Sequence, residues 1–159
     1  GMMTRNVSEN YVSDCTIDTD QLALIPDTYM DVTAEKIRIY KELDSISSDK
    51  EMENMKARLA DRFGPLPDEV LRLFEVVKIR RVGQRLGFEK IIIKNGVMIA
   101  FFISNPLSNY YKSNRFSDIL MSVSNYPRLF ELKQNDNKLR ILSRNIDSLS
   151  KAYEVLMKL

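Results

Sequence analysis

Asn95-Gly96 separates two runs rich in β-branched and aromatic residues, Phe88–Lys94 and Val97–Ile103, with nothing else between them. A two-residue hairpin loop of type I′ needs positive φ at both central positions, and Asn-Gly meets that requirement at low steric cost. The two runs therefore pair as antiparallel neighbours, and the rest of the chain must be organised around them. A second hairpin signal follows, in which Leu129, Phe130 and Leu132 face Leu139, Ile141 and Leu142 across Asn135-Asp136-Asn137. Hairpins rather than β-α-β crossovers predict an α+β fold, with helices packed on an antiparallel sheet. Upstream, Cys15–Asp20 alternates and is β-branched, which predicts a short N-terminal strand at a sheet edge running into Leu22–Pro26.

Helical spacing fills the intervals. Ala34, Ile37, Tyr40 and Leu43 recur along one stripe, predicting a helix over 33–46 with Thr33 as N-cap and Glu35 in the dipole-favoured first turn. Ser48 and Glu51 have capping-box spacing, and Met52, Met55, Leu59 and Phe63 follow, predicting a second helix over 49–62. Gly64-Pro65 ends it, glycine taking the left-handed C-cap and proline refusing to continue the helix. A third helix runs from near Pro67 to Leu86-Gly87 and carries Val70, Leu71, Leu73, Phe74, Val76, Val77 and Ile79, apolar on more than one face as a central buried helix would be. After the loop 104–113, Phe116, Ile119, Leu120 and Val123 mark a helix that Pro127 stops. Asp147 then caps a final helix with Leu149, Tyr153, Leu156 and Met157.

Composition closes off much chemistry. The 159 residues contain no histidine, no tryptophan and one cysteine. That removes Ser-His and Cys-His nucleophile pairs, imidazole bases, Cys/His zinc sites and internal disulfides, and fits a reducing compartment. Five glycines, at 1, 64, 83, 87 and 96, write neither a Walker loop nor a GxGxxG cradle. The carboxylate pairs Asp18/Asp20 and Asp68/Glu69 read as helix-start and edge residues rather than acid-base pairs, and Cys15 has no neighbouring cation in sequence to activate it. The reading is a non-catalytic domain with no cofactor and no metal. Gly1-Met2 resembles a tag-cleavage scar, so 1–14 is set aside as scar and lead-in and 15–159 is read as one domain. With no run near the roughly 20 apolar residues of a spanning helix, the expectation is a soluble, cytoplasmic protein.

Charge is unevenly spread. Residues 1–70 hold 8 Lys plus Arg against 15 Asp plus Glu, whereas 71–159 hold 16 against 7. Two solvated faces that attract each other within one fold account for this, and so does a bipolar domain meeting a basic partner on one side and phosphate on the other. Lys78, Arg80, Arg81 and Arg85 are the candidate nucleic-acid contacts, although cations in the last turns of a helix equally satisfy its dipole. Tyr110-Tyr111-Lys112 and Asn114-Arg115 offer a weaker stacking candidate for single strands.

One block is more specific: Leu24-Ile25-Pro26-Asp27 with Tyr29, Ile39-Tyr40-Lys41, the string Met55–Leu66, and Pro67-Asp68-Glu69-Val70 running to Leu86-Gly87. Over about residues 15 to 92 it resembles the C-terminal domain of the bacterial transcription-repair coupling factors, the TRCF (Mfd) family, and the Asp61–Pro67 string D-R-F-G-P-L-P is its diagnostic part. The resemblance implies a non-motor module of an ATP-driven DNA translocase that removes stalled RNA polymerase and recruits the repair protein UvrA, with the ATP site elsewhere in the parent chain. It further implies autoinhibition, the module packing on the N-terminal UvrA-binding module of the same protein. In the family, acidic residues on the helix before D-R-F-G face that module. Asp61 matches, whereas Arg58 stands where the family is commonly acidic, leaving Glu51 and Glu53 to share the role. Phe63, Gly64, Pro65, Leu66 and Pro67 are read as structural, setting the angle between the second and third helices. The alternative function is a nucleic-acid-binding module using the basic half.

Overall fold

The computed structural model describes residues 11–136 and 138–159. The expected tag scar, most of the lead-in, and Asn137 of the second turn lie outside these. The described chain packs as two compact units, one running from Gln21 to Lys78, the other made of the residues up to Asp20 together with Ile79–Leu159.

The second of these holds a five-stranded sheet. Its strands are β1 (Thr16–Thr19), β2 (Phe88–Lys94), β3 (Val97–Phe102), β4 (Glu131–Asn135) and β5 (Lys138–Arg144), in spatial order β1-β2-β3-β5-β4. The β2–β3 hairpin closes through Asn95 and Gly96 at φ 55° and 74°, as the sequence requires. The β4–β5 hairpin and the position of β1 at an edge also agree with the reading, but Leu129 and Phe130 precede β4, so that of the expected facing residues only Leu132 and Ile141 pair, while Leu139 stands opposite Gln134 and Leu142 opposite Glu131. One element of it needs correction: β1 runs parallel to β2, with Thr16 opposite Lys90 and Asp18 opposite Ile92, so the sheet is mixed. A parallel pair requires a long crossover, and here the chain between β1 and β2 includes all of Gln21–Lys78.

Side chains alternate across the sheet. Ile91, Ile93, Met98, Ala100, Phe102 and Ile141 are buried, while Ile92, Val97, Ile99, Phe101 and Leu142 point to the other face and are half-buried. The C-terminal half of α3 (Asp68–Leu86) covers the buried face so closely that a Cβ on Gly83 would stand 2.5 Å from Cys15 Sγ and 3.2 Å from Ile91. A 3-10 turn at Asn109–Lys112 and α4 (Asn114–Asn125) meet the same face, Phe102 lying 6.2 Å from the Tyr110 ring and 5.4 Å from that of Phe116. Ser113 caps α4 by accepting from the Phe116 amide at 3.2 Å. The final helix α5 (Leu149–Leu156) buries Leu149, Ala152, Val155 and Leu156, and its N-cap is Ser148, which accepts from Lys151 N at 3.0 Å, rather than Asp147.

Residues Gln21–Lys78 have their own core of Ile25, Met30, Ile39, Leu43, Ile46, Met52, Met55, Leu59, Val70, Phe74 and Val77. Helix α1 spans Thr33–Asp44, so Thr33 is its first residue and Val32 its cap, with no side-chain bond. The apolar stripe expected to bury is rotated. Ile37 is 50% exposed and Ala34 and Tyr40 are exposed, whereas Ile39, Leu43 and Glu35 face inward. Helix α2 spans Asp49–Phe63 and starts as the capping box predicts, Ser48 Oγ accepting from Glu51 N at 3.1 Å. It ends at Gly64, whose φ of 96° and ψ of −178° place it outside the left-handed helical region, in a region that is essentially glycine's alone. In α3, Leu71 is exposed, so that helix keeps one wet face.

Candidate partner-binding surface

Helices α1 and α2 pack side by side and leave an open groove of about 490 Å3 between them, lined by Glu35, Arg38, Glu42, Arg58, Asp61 and Phe63 among others. Packing on the inner stripe of α2, through Met52, Met55 and Leu59, turns the charged side chains toward this groove. It carries a network of opposite charges. Glu35, buried, accepts from Arg62 Nη1 at 2.5 Å and pairs with Arg38, while Arg58 crosses from α2 to α1 to pair with Glu42. That hydrogen bond to Glu42 raises the pKa of Arg58 above its ordinary value.

The candidate residues on α2 differ in what holds them. Glu51 is committed to the helix start: its carboxylate accepts from Ser47 N at 2.8 Å and from Ser47 Oγ. Glu53 pairs with Lys56 at 3.3 Å and sits roughly 80° around the helix from Asp61. Arg58 is held by Glu42. Asp61 alone of the four is exposed at the groove's lip with no ion pair among the described residues. The structure therefore places Asp61 and Arg58 on one groove, Glu51 beside Arg58 in an adjoining depression, and Glu53 away from both.

The D-R-F-G-P-L-P turn is built as a support for this groove. Phe63 and Leu66 pack half-buried against the core, and the Phe63 ring lies 5.9 Å from that of Tyr29. The Tyr29 hydroxyl is shared between Leu59 O at 3.1 Å and Gly64 O at 2.9 Å, holding the last turn of α2 and the carbonyl just beyond it. Tyr40 acts similarly, its oxygen accepting from Ile25 N at 2.9 Å. Sequence reasoning missed these tyrosine clamps and the buried Glu35. Tyr29 and Tyr40 stood within the resembling block, but their roles depend on which carbonyl or amide the fold brings to each hydroxyl.

The other candidates fare differently. Lys78, Arg80, Arg81 and Arg85 are half-buried on α3 and all engaged: Lys78 with Glu75 at 3.5 Å, Arg85 donating to Met157 Sδ at 3.8 Å, and Arg80 and Arg81 also partnered. Tyr110 is no stacking platform, being 1% exposed with its hydroxyl donating to Leu86 O at 2.6 Å. Tyr111 is half-buried, with its hydroxyl on Ile103 O. Cys15 is buried, and burial pushes its thiol up to about 12, outweighing the nearby Arg80. Among the described residues, no cluster of His, Cys, Asp or Glu could hold a metal, and no helix is long and apolar enough to cross a membrane.

With this geometry in place, comparison with known proteins is decisive. The sequence model of the TRCF domain matches residues 19–113, which begins at the last residue of β1 and covers α1, α2, α3, the first hairpin and the 3-10 turn. The chain belongs to the TRCF domain family. The TRCF domain described here is 34% identical over 125 residues to the transcription-repair-coupling factor of Rickettsia prowazekii, covering 77% of this chain and 10% of that protein. It is 30% identical over 148 residues to that of Rickettsia bellii, covering 91% and 12%. With the Escherichia coli factor it shares 33% identity over 69 residues, 43% of this chain and 6% of the relative. The chain thus spans about a tenth of the length of the Rickettsia relatives. A solved structure described as the C-terminal domain of transcription-repair coupling factor superposes with a TM-score of 0.75 at 20% identity, covering 91% of this chain and 88% of that one. That match bears out the α+β fold.

Proposed function

We propose that this TRCF domain is a non-catalytic, autoinhibitory module of a cytoplasmic transcription-repair coupling ATPase, whose motor lies elsewhere in the parent protein. It packs through the α1–α2 groove on the N-terminal UvrA-binding module of that protein, masks UvrA recruitment, and restrains translocation on DNA until RNA polymerase is engaged. The observation that carries this reading is Asp61, an exposed carboxylate without an ion pair among the described residues, at the lip of a groove whose other charges are already matched. A basic residue of the partner would complete it. Rim ion pairs each contribute about 0–1 kcal/mol, so a contact built from a few of them around Phe63 can be opened by a competing partner. Arg58 is held by Glu42 across the groove rather than by Asp61.

The test is binding of this domain, in trans, to the N-terminal UvrA-binding module, with duplex and single-stranded DNA run in parallel at two salt concentrations. The expected result is module binding that Asp61→Lys weakens, with no DNA binding at moderate salt. Salt-steep DNA binding without module binding would move the function to the α3 cations, since neutralising phosphates gives a log-log slope of about −0.9 per phosphate on duplex.

A further inference from the structure

The outer face of the sheet has a distinct composition. Gly83 of α3, Tyr110, and Phe116 of α4 meet the other face, and the register places outward side chains in rows across the strands. One row reads Lys90, Phe101, Arg140 and Lys133; the next reads Asp18, Ile92, Ile99, Leu142 and Glu131; the third reads Lys94, Val97 and Arg144. Down the middle strand β3 this leaves an apolar column of Val97, Ile99 and Phe101, widened at its centre by Ile92 on β2 and Leu142 on β5. All four corners are cations: Lys90 and Lys94 on β2, Arg140 and Arg144 on β5.

The charge balance at these corners is incomplete. Lys94 pairs with Asp18 at 3.1 Å, and Arg144 pairs with Glu131, which also holds Lys133 at 3.6 Å. Lys90 and Arg140 make no ion pair among the described residues, and Arg140 stands directly opposite Lys133, a like-charge pair that a sheet disfavours. Beside them a depression of about 230 Å3 opens over Phe101 and Leu139. Its acidic member, Glu89, is occupied by Ser104 N at 2.9 Å.

We infer that this face docks one amphipathic helix of a protein partner, laid along β3, with an apolar stripe over Val97, Ile99 and Phe101 and acidic residues on both flanks. The dimensions agree. Strands β2 and β5 lie on either side of β3 at about 4.8 Å each, so the corner cations are about 10 Å apart, the width of one helix with its side chains. Acidic flanks would answer Lys90 and Arg140 and relieve the repulsion between Arg140 and Lys133. A single-stranded nucleic acid fits less well, because base stacking needs aromatic platforms and the column offers one ring, Phe101, among aliphatic side chains. This surface lies in the sheet unit and does not depend on the α1–α2 groove.

The experiment titrates the isotope-labelled 159-residue chain with three helical peptides that share one leucine stripe and differ only in carrying acidic, neutral or basic flanks, and with an oligothymidylate. The expected result is tightest binding of the acidic peptide, with amide shifts confined to strands β2, β3 and β5 and the β4 residues facing Arg140 and Leu142. Affinity should fall about tenfold or more in the double variant Lys90→Glu/Arg140→Glu, about 1.4 kcal/mol per tenfold, while the variant's melting temperature does not fall, since Arg140→Glu removes the like-charge pair with Lys133. Equal binding of all three peptides, shifts elsewhere on the molecule, or oligothymidylate binding at this face without peptide binding would overturn the inference. Asp61→Lys is expected to leave the peptide titration unaltered, so failure here and failure of the groove reading are separate results.

Discussion

The Tyr29 hydroxyl and the Gly64 carbonyl, 2.9 Å apart, tie the entry segment of the groove unit to the turn that ends α2. Because Gly64 follows the helix, its oxygen has no intrahelical donor, and the phenol supplies one while also reaching Leu59 O. The same bond fixes the direction in which the D-R-F-G turn leaves the helix, and hence the position of Asp61 three residues before it.

Tyr29→Phe removes that donor and keeps the ring against Phe63. The expected loss is about 0.5–1.5 kcal/mol, read as a lower denaturation midpoint in urea with an unchanged slope. A change of slope would mean that the turn itself had come apart.

Two glycines distinguish strain from collision. Gly64→Ala meets no neighbouring atom within 4 Å, so its cost is conformational, about 1–3 kcal/mol. Gly87→Ala shares the positive φ and also drives a Cβ to 2.2 Å from the Tyr110 ring, which Phe102, Phe116 and the bond to Leu86 hold in place. Thermal melts should rank Gly87→Ala well below Gly64→Ala. The reverse order would show that the Tyr110 pocket yields easily.

Asp61→Ala is expected to melt within about 0.5 kcal/mol of the parent, as surface substitutions away from structural features do. Arg58→Ala, by contrast, removes the bridge from α2 to Glu42 on α1 and should lower stability by a fraction of a kcal/mol, since exposed pairs are worth about 0–1 kcal/mol. A large melting loss for Asp61→Ala would count against its interface role.

Cys15 offers a chemical check. Its thiol sits at 0% exposure against Gly83, raised to about 12 by burial, so alkylation near neutral pH should be very slow in the folded chain and fast in denaturant. The sign of the pH effect follows from the raised value. The folded state disfavours the thiolate, so this contribution is intact below the unfolded value of 9.0 and is lost as pH climbs toward about 12. Tyr110, also pushed up by burial, acts in the same alkaline direction. Rapid labelling at neutral pH would contradict the close packing of α3 on β1.

What could be read without coordinates depended on whether the deciding interaction was local. Asn95-Gly96 specifies its turn by backbone sterics alone, and the hairpin was legible. The Ser48–Glu51 box and the α2 core stripe were legible for the same reason. The α1 stripe misled because Ile37 and Ile39 are both apolar, and only packing decides that Ile39 and Leu43 turn inward while Ile37 and Tyr40 stay exposed. Tyr110 looked like a polar-loop residue because its partners, Gly87, Leu86 and Phe102, are remote in sequence. At the candidate site, Asp61 was found through a resembling motif, whereas the engagement of Arg58 by Glu42 depends on two helices meeting and no periodicity announces it.

The parallel pairing of β1 with β2 affects how the molecule forms. Hairpins β2–β3 and β4–β5 each close across two residues, whereas Thr16 meets Lys90 only after the whole of Gln21–Lys78 has been spanned. Closing so long a loop costs entropy before any strand bond is gained, which makes β1 the last strand to dock. Until it docks, β2 presents an open, Ile-rich edge to other chains, the kind of edge on which strands of separate molecules add to one another. A chain beginning after Asp20 would keep both hairpins and lose the strand that covers that edge, and its expected failure is self-association rather than unfolding.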